Sequence, residues 1–222
     1  MERGLGANKV YIVIAFAVIL LIIITILFSN NNLTVAYIEN KYISEVWKDS
    51  GNSSYDERLF GLEKQASITY VVDENLDDNY PAYLTVTTFK TLFMISEDEL
   101  IRNVKNTIKN EAENINIDID YNSSVQNSRV LKNGHKSQYI IYNGTDFSGD
   151  ISEEIKIIGE TWNCPISGTS IICIGISQIT NKNEGNNSIF LNHWNEMISD
   201  PQASFGREHI GENGLIFNVK CH

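Results

Sequence analysis

The chain has 222 residues, with 28 Asp and Glu against 17 Lys and Arg and a formal net charge of −11. That acidic balance repels phosphate backbones and anionic headgroups, so no nucleic-acid partner is expected. The length suits one domain with a sizeable core.

The nineteen residues from Val10 to Phe28 carry no charge, and Thr25 is their most polar side chain. As a helix they would be about 28 Å long, the thickness of a bilayer's hydrocarbon core. The exit, Leu27-Phe28-Ser29-Asn30, lacks the small residues of a signal-peptide cleavage site. The expectation is an uncleaved transmembrane anchor over residues 10–28. A short cytoplasmic N-terminus (1–9) precedes it, and a membrane-proximal helix and linker (29–65) and an extracytoplasmic domain (66–222) follow. Arg3 and Lys9 on the near side of the span give this orientation. The membrane is then a partner through Val10 to Phe28, and the localisation is a single-pass cell-membrane protein. A pilin-like reading of the same helix meets Asn8 and Lys9 where an apolar filament helix should begin. Sequons at Asn32, Asn52, Asn122, Asn143 and Asn186 permit glycosylation without arguing for it.

Over residues 34–48 the spacing of Ala36, Ile38, Tyr42, Ile43, Val46 and Trp47 predicts an amphipathic helix. Residues 49–55, with Gly51, Ser53 and Ser54, read as a loop. Strands are expected over 66–72 and 83–95, where β-branched and aromatic residues dominate, with an acidic turn over 73–81 between them. Ser96 and Glu99 form a capping box, and Leu100, Ile101, Val104, Ile108 and Ala112 line one face of the helix it starts. Ile115, Ile117, Ile119 and Tyr121 alternate with Asn116, Asp118 and Asp120, the pattern of a strand with one wet face. Further strands are expected over 137–142, 154–163 and 170–178. The last carries an apolar run from Ile171 to Ile176 that suits a central strand covered on both faces. A second helix over 188–199 stops at Asp200-Pro201, and Leu215 to Val219 reads as a short strand.

The fold class predicted is α+β: the N-terminal transmembrane helix, then an antiparallel sheet flanked by helices. The element order resembles the PsbP-like fold over about residues 66–201. The stretch Asn133-Gly134-His135-Lys136-Ser137-Gln138-Tyr139 stands as a turn and strand entry within its meander. The resemblance implies a small accessory or assembly role beside a larger complex.

Cys164 and Cys173 are a disulfide candidate. If Gly168-Thr169 form a two-residue hairpin turn, the two cysteines face each other in a non-hydrogen-bonded pair whose Cα atoms are about 4.5 Å apart, within reach of a bridge. A longer loop would shift the register and remove the pair. Cys221 is then the odd cysteine; it could also displace either of the others, so three connectivities stay open. A metal site of Cys221, His222 and another His lacks CxxC or HxxxH spacing, so a frayed tail is expected there.

Asp73, Asp77 and Asp78 are a weak calcium candidate, since Asp73, Asn75 and Asp77 open like an EF-hand loop. The pattern then fails at Asp78 and Leu84, where Gly and Glu are needed. Asp118 and Asp120 share a strand face as paired carboxylates can, but two acids on a wet face need no catalytic explanation. His135 is expected as an exposed turn residue. Trp47 and Trp194 are interaction candidates, with core packing as the alternative. No GxxxxGK[ST], GxGxxG, GxSxG or HExxH motif occurs, so no catalytic residue and no cofactor is assigned. The function expected is a membrane-anchored extracytoplasmic binding or accessory/assembly domain, with a membrane or surface protein complex as partner. The alternatives are an extracytoplasmic hydrolase using His135 or the acids of residues 115–121, and a pilin-like or surface-layer component.

Overall fold

The structure, a computed structural model, describes residues 32–59, 62–72, 81–147, 152–180, 187–198 and 214–222, together with Phe16, Val18 and Ile19. Its centre is a seven-stranded antiparallel sheet. The strands are β2 (Trp47–Arg58), β3 (Glu63–Val72), β4 (Ala82–Lys90), β5 (Ile117–Val130), β6 (Lys136–Asp146), β7 (Glu153–Cys164) and β8 (Thr169–Gln178). Their order across the sheet is β2-β3-β4-β8-β7-β6-β5. A separate two-stranded ribbon pairs β1 (Tyr37–Ile38) with β9 (Val219–Lys220).

Two helices cover the sheet, one on each face. Helix α1 (Glu97–Asn114) starts at the Ser96 cap, whose hydroxyl accepts from the Glu99 amide at 3.3 Å. Glu97, Asp98 and Glu99 occupy its first turn, where the helix dipole favours negative charge. Its buried stripe, Leu100, Ile101, Val104, Ile108 and Ala112, meets Ile117, Ile119, Ile140, Ile155, Ile157, Ile172, Ile174 and Ile176 in an almost purely aliphatic core. Helix α2 (Asn187–Ile198) presses Trp194, Met197 and Ile198 onto the opposite face, among Trp47, Tyr70, Trp162 and all three cysteines.

Each helix approaches the sheet over a glycine. A Cβ on Gly159 would stand 2.1 Å from Val104 Cγ1 of α1, and one on Gly175 would stand 2.0 Å from Met197 Sδ of α2. The two glycines sit diagonally on adjacent central strands, since Gly159 pairs with Ile174 and Ile158 with Gly175. Alternation along a strand sends them to opposite faces.

Several expectations are corrected. Strands make up 52% of the structure and helices 25%, so the fold is mainly β and not α+β; the antiparallel sheet itself is present. Among the described residues no helix is long and apolar enough to cross a membrane. Helix α1 carries charged side chains along its length, and α2, at 12 residues, is too short to span. Within the described residues, this finding contradicts the transmembrane, single-pass and cell-membrane assignments. The run from Val10 to Phe28 lies outside the described residues except for Phe16, Val18 and Ile19, which are helical and exposed. Residues 34–48 form no amphipathic helix: they hold β1, a single 3-10 turn (Asn40–Tyr42) and the start of β2. The loop expected over 49–55 is the interior of β2, an edge strand exposed along most of its length. It is interrupted between Asp49 and Ser53 by a register shift, a device that blunts unpaired sheet edges. The strand expected over 83–95 ends at Lys90.

Candidate functional site

The β7–β8 hairpin decides the fate of the proposed bridge. Its connection is four residues, 165–168, and not two, with Gly168 at φ 64°, a left-handed conformation that glycine adopts without steric cost. Cys164 therefore faces Thr169, while Cys173 faces Glu160. All three cysteines are free and buried, so the Cys164–Cys173 disulfide does not form. The longer turn also leaves Pro165 outside the ladder, where its missing N–H costs nothing.

Cys173 has a different neighbourhood. Glu160, fully buried on β7, is held by Arg129 through two hydrogen bonds of 2.8 and 2.6 Å and accepts a third from Ser137 at 2.5 Å. Burial pushes the Cys173 thiol well up, Glu160 adds to that, and Arg129 opposes it. The site is a satisfied ion pair beside an inert thiol.

Cys164, at the end of β7, instead meets the segment 214–222. Leu215 donates its amide to the Glu196 carbonyl at 3.0 Å, and a 3-10 turn (Ile216–Asn218) then leads into β9. The β5–β6 turn receives this segment: Lys132 reaches the Phe217 carbonyl through its amide and Asn218 Oδ1 through Nζ. Within that turn the Asn133 side chain accepts from the His135 amide at 3.0 Å and donates to the Val219 carbonyl at 3.1 Å. Gly134, at φ 82°, lets the chain reverse there. The segment is consequently packed and ordered by contacts, where a frayed tail was expected.

The outcome is a cluster of His135, Cys164, Cys221 and His222, with one donor atom from each residue within 4.8 Å of every other. His222 Nδ1 lies 3.4 Å from Cys164 Sγ and 3.5 Å from Cys221 Sγ. The rings of His135 and His222 meet edge to face at 5.5 Å. His135 is half-buried, not the exposed turn residue expected, and its Nε2 is buried without a hydrogen-bond partner. Burial, then His222, holds its pKa below the usual imidazole value. The Cys221 thiol is pushed up to about 12, first by burial and then by Cys164, with the Trp162 indole working against the rise. Nothing short-range in the sequence marks this cluster, because its members come from positions 135, 164 and 221–222. The adjacency of Cys221 and His222 was the one available signal.

A second feature lies on the α2 side of the sheet. Asp120, Asn143, Gly144, Thr145, Glu154, Ile155, Lys156 and Ile179 line a cleft of about 340 Å³. Pairing across β5, β6 and β7 creates it: Asp120 faces Asn143, which faces Lys156, and Thr145 faces Glu154. The expected alternation holds here, with Ile117 and Ile119 buried and Asp118 and Asp120 exposed. A register shift after Asp120 then breaks it and leaves Tyr121 outward.

The other expected site residues fall apart. Trp47 and Trp194 are 3% and 1% exposed, so neither lines a surface; the Trp47 indole donates to Glu196 at 2.8 Å. The exposed large apolar side chains include Leu92, Phe93, Met94 and Ile166 in loops. Asp73, Asp77 and Asp78 lie outside the described residues, as does Asp200-Pro201. No family model matches the chain, and no curated protein gives a significant match.

Proposed function

We propose that this chain is a binding or accessory domain, and that the cleft between β5, β6 and β7 takes a small polar ligand. One observation carries the reading: about 340 Å³ of concave space is lined at once by the carboxylates of Asp120 and Glu154, the Lys156 ammonium, and the polar side chains of Asn143 and Thr145. That size falls in the range of small-molecule sites, which fix a ligand through a few convergent polar groups. Two acids beside one cation select a ligand rich in hydroxyl or amine donors that also presents an acceptor. Accessory proteins of the kind the PsbP-like resemblance implies act by binding, which agrees with this reading.

The rival, hydrolysis by paired acids, is favoured by Asp120 and Glu154 sharing the cleft. Against it, both residues are exposed, and open water around a carboxylate weakens the electrostatic work that catalysis requires. Saturation-transfer NMR of the purified chain with a panel of monosaccharides, polyamines and amino acids tests the proposal. Binding is expected for at least one class, with the signal lost in Asp120→Asn and Lys156→Met. If no probe binds, or if both variants bind as the parent does, the reading fails. Turnover of a bound glycoside would move it to the rival.

A further inference from the structure

The cleft leaves unexplained a cluster of metal-ligating side chains among the described residues, at the junction of the β5–β6 turn, the end of β7 and the segment after β9. We propose that His135, Cys164, Cys221 and His222 form a closed, four-ligand site for a zinc-class transition-metal ion. This site is independent of the cleft and of what the cleft binds.

Three observations support it. The first is the distance set. A tetrahedral zinc ion with sulfur at about 2.3 Å and nitrogen at about 2.0–2.1 Å requires S···N edges of about 3.6 Å. Those seen are 3.4 Å from Cys164 Sγ and 3.5 Å from Cys221 Sγ to His222 Nδ1, and all four donors fall within 4.8 Å of one another. The second is an unmet requirement. His135 Nε2 is a buried polar atom without a partner, and buried polar atoms are rarely left unpaired in a folded chain. The third is the surrounding shell. Asn133 Nδ2 reaches the Cys221 sulfur at 3.9 Å, and the Trp162 indole N–H is buried without a hydrogen-bond partner. Outer-shell donors of this kind fix the orientation of a metal-binding side chain.

The donor set selects the ion. Two thiolates and two imidazoles suit zinc, and substitute cobalt well, while magnesium and calcium require oxygen ligands. With four protein donors no coordination position is left for substrate, which is the mark of a structural and not a catalytic centre. Its mechanical consequence follows from connectivity. Cys221 and His222 directly follow β9, and β9 pairs with β1, so the ion would fix the ribbon and the chain from Ala36 to Trp47 against the sheet. Binding displaces the thiol protons of Cys164 and Cys221 to solvent and involves no change of oxidation state.

The test uses the full chain, purified in reductant and dialysed free of metal, with Zn²⁺ alone and Co²⁺ alone as probes. About one zinc per chain should be retained, and cobalt should give the intense visible bands of a tetrahedral site together with a thiolate charge-transfer band. Cys164→Ser and Cys221→Ser should each abolish the charge-transfer band or at least halve it. His135→Asn should weaken zinc binding by about 100-fold or more, given that losses outside the ligand set already cost 10–100-fold. Cys173→Ser, a buried thiol outside the cluster, should change neither spectrum nor stoichiometry. Should the variants fail to fold, X-ray absorption of the cobalt-loaded parent counts the ligands directly. Two sulfurs and two nitrogens uphold the site; any other first shell, or no retained metal, overturns it.

Discussion

The two faces of the sheet are built from the same strands but do different work. The face under α1 is packed mainly with isoleucine, leucine and valine, with Tyr142 among them and Tyr83 at its margin. The face under α2 gathers all three tryptophans, all three cysteines and, in the same layer, the buried Glu160–Arg129 pair, with the metal-ligand cluster and the polar cleft at its borders. An aliphatic face is non-directional and tolerant, since burial alone stabilises it. A mixed face must satisfy every donor and acceptor it buries, so it specifies geometry more tightly and is the place where chemistry can be held.

The ion pair offers the strongest way to break this contrast. Arg129→Met strands a fully buried carboxylate and should destabilise the fold by about 3–5 kcal/mol. Arg129→Met with Glu160→Leu removes both charges and should recover most of that loss. Urea unfolding monitored by circular dichroism measures both, and equal instability of the single and double variants would refute the account.

The glycines sharpen the comparison at smaller cost. Gly159→Ala drives a methyl group into the stiff, β-branched Val104, at about 1–3 kcal/mol. Gly175→Ala meets the thioether of Met197, which has three rotatable bonds and can move aside. The first variant should therefore lower the unfolding midpoint more than the second; the reverse order would place the tighter packing under α2. Smallest is Ser96→Ala, which removes the α1 cap for about 1 kcal/mol and should leave the α2 face unchanged, checked by amide exchange on each face.

Where sequence reading succeeded, the signal was local and periodic. The Ser96–Glu99 cap, the apolar stripe from Leu100 to Ala112 and the all-apolar run from Ile171 to Ile176 each stand as expected, because each pattern states which way its side chains must point. It failed at β2, whose residues, Lys48-Asp49-Ser50-Gly51-Asn52-Ser53-Ser54, have a loop composition. An edge strand with both faces wet owes its conformation to hydrogen bonds with β3 and not to its own side chains. The cysteines failed similarly: the type of turn over 165–168 set the register, and two more residues in it exchanged a proposed disulfide for two unrelated environments.

The sequence by itself determined the acidic character, the two covering helices and the central apolar strands, since charge, capping and periodicity are properties of neighbours along the chain. Tertiary structure alone decided that His135 and Cys164 would meet Cys221 and His222, and that Asp120 would share a cleft with Glu154 and Lys156. Those meetings join residues tens of positions apart, and only the pairing of β5 through β9, with its bulge and turn lengths, fixes which side chains arrive together.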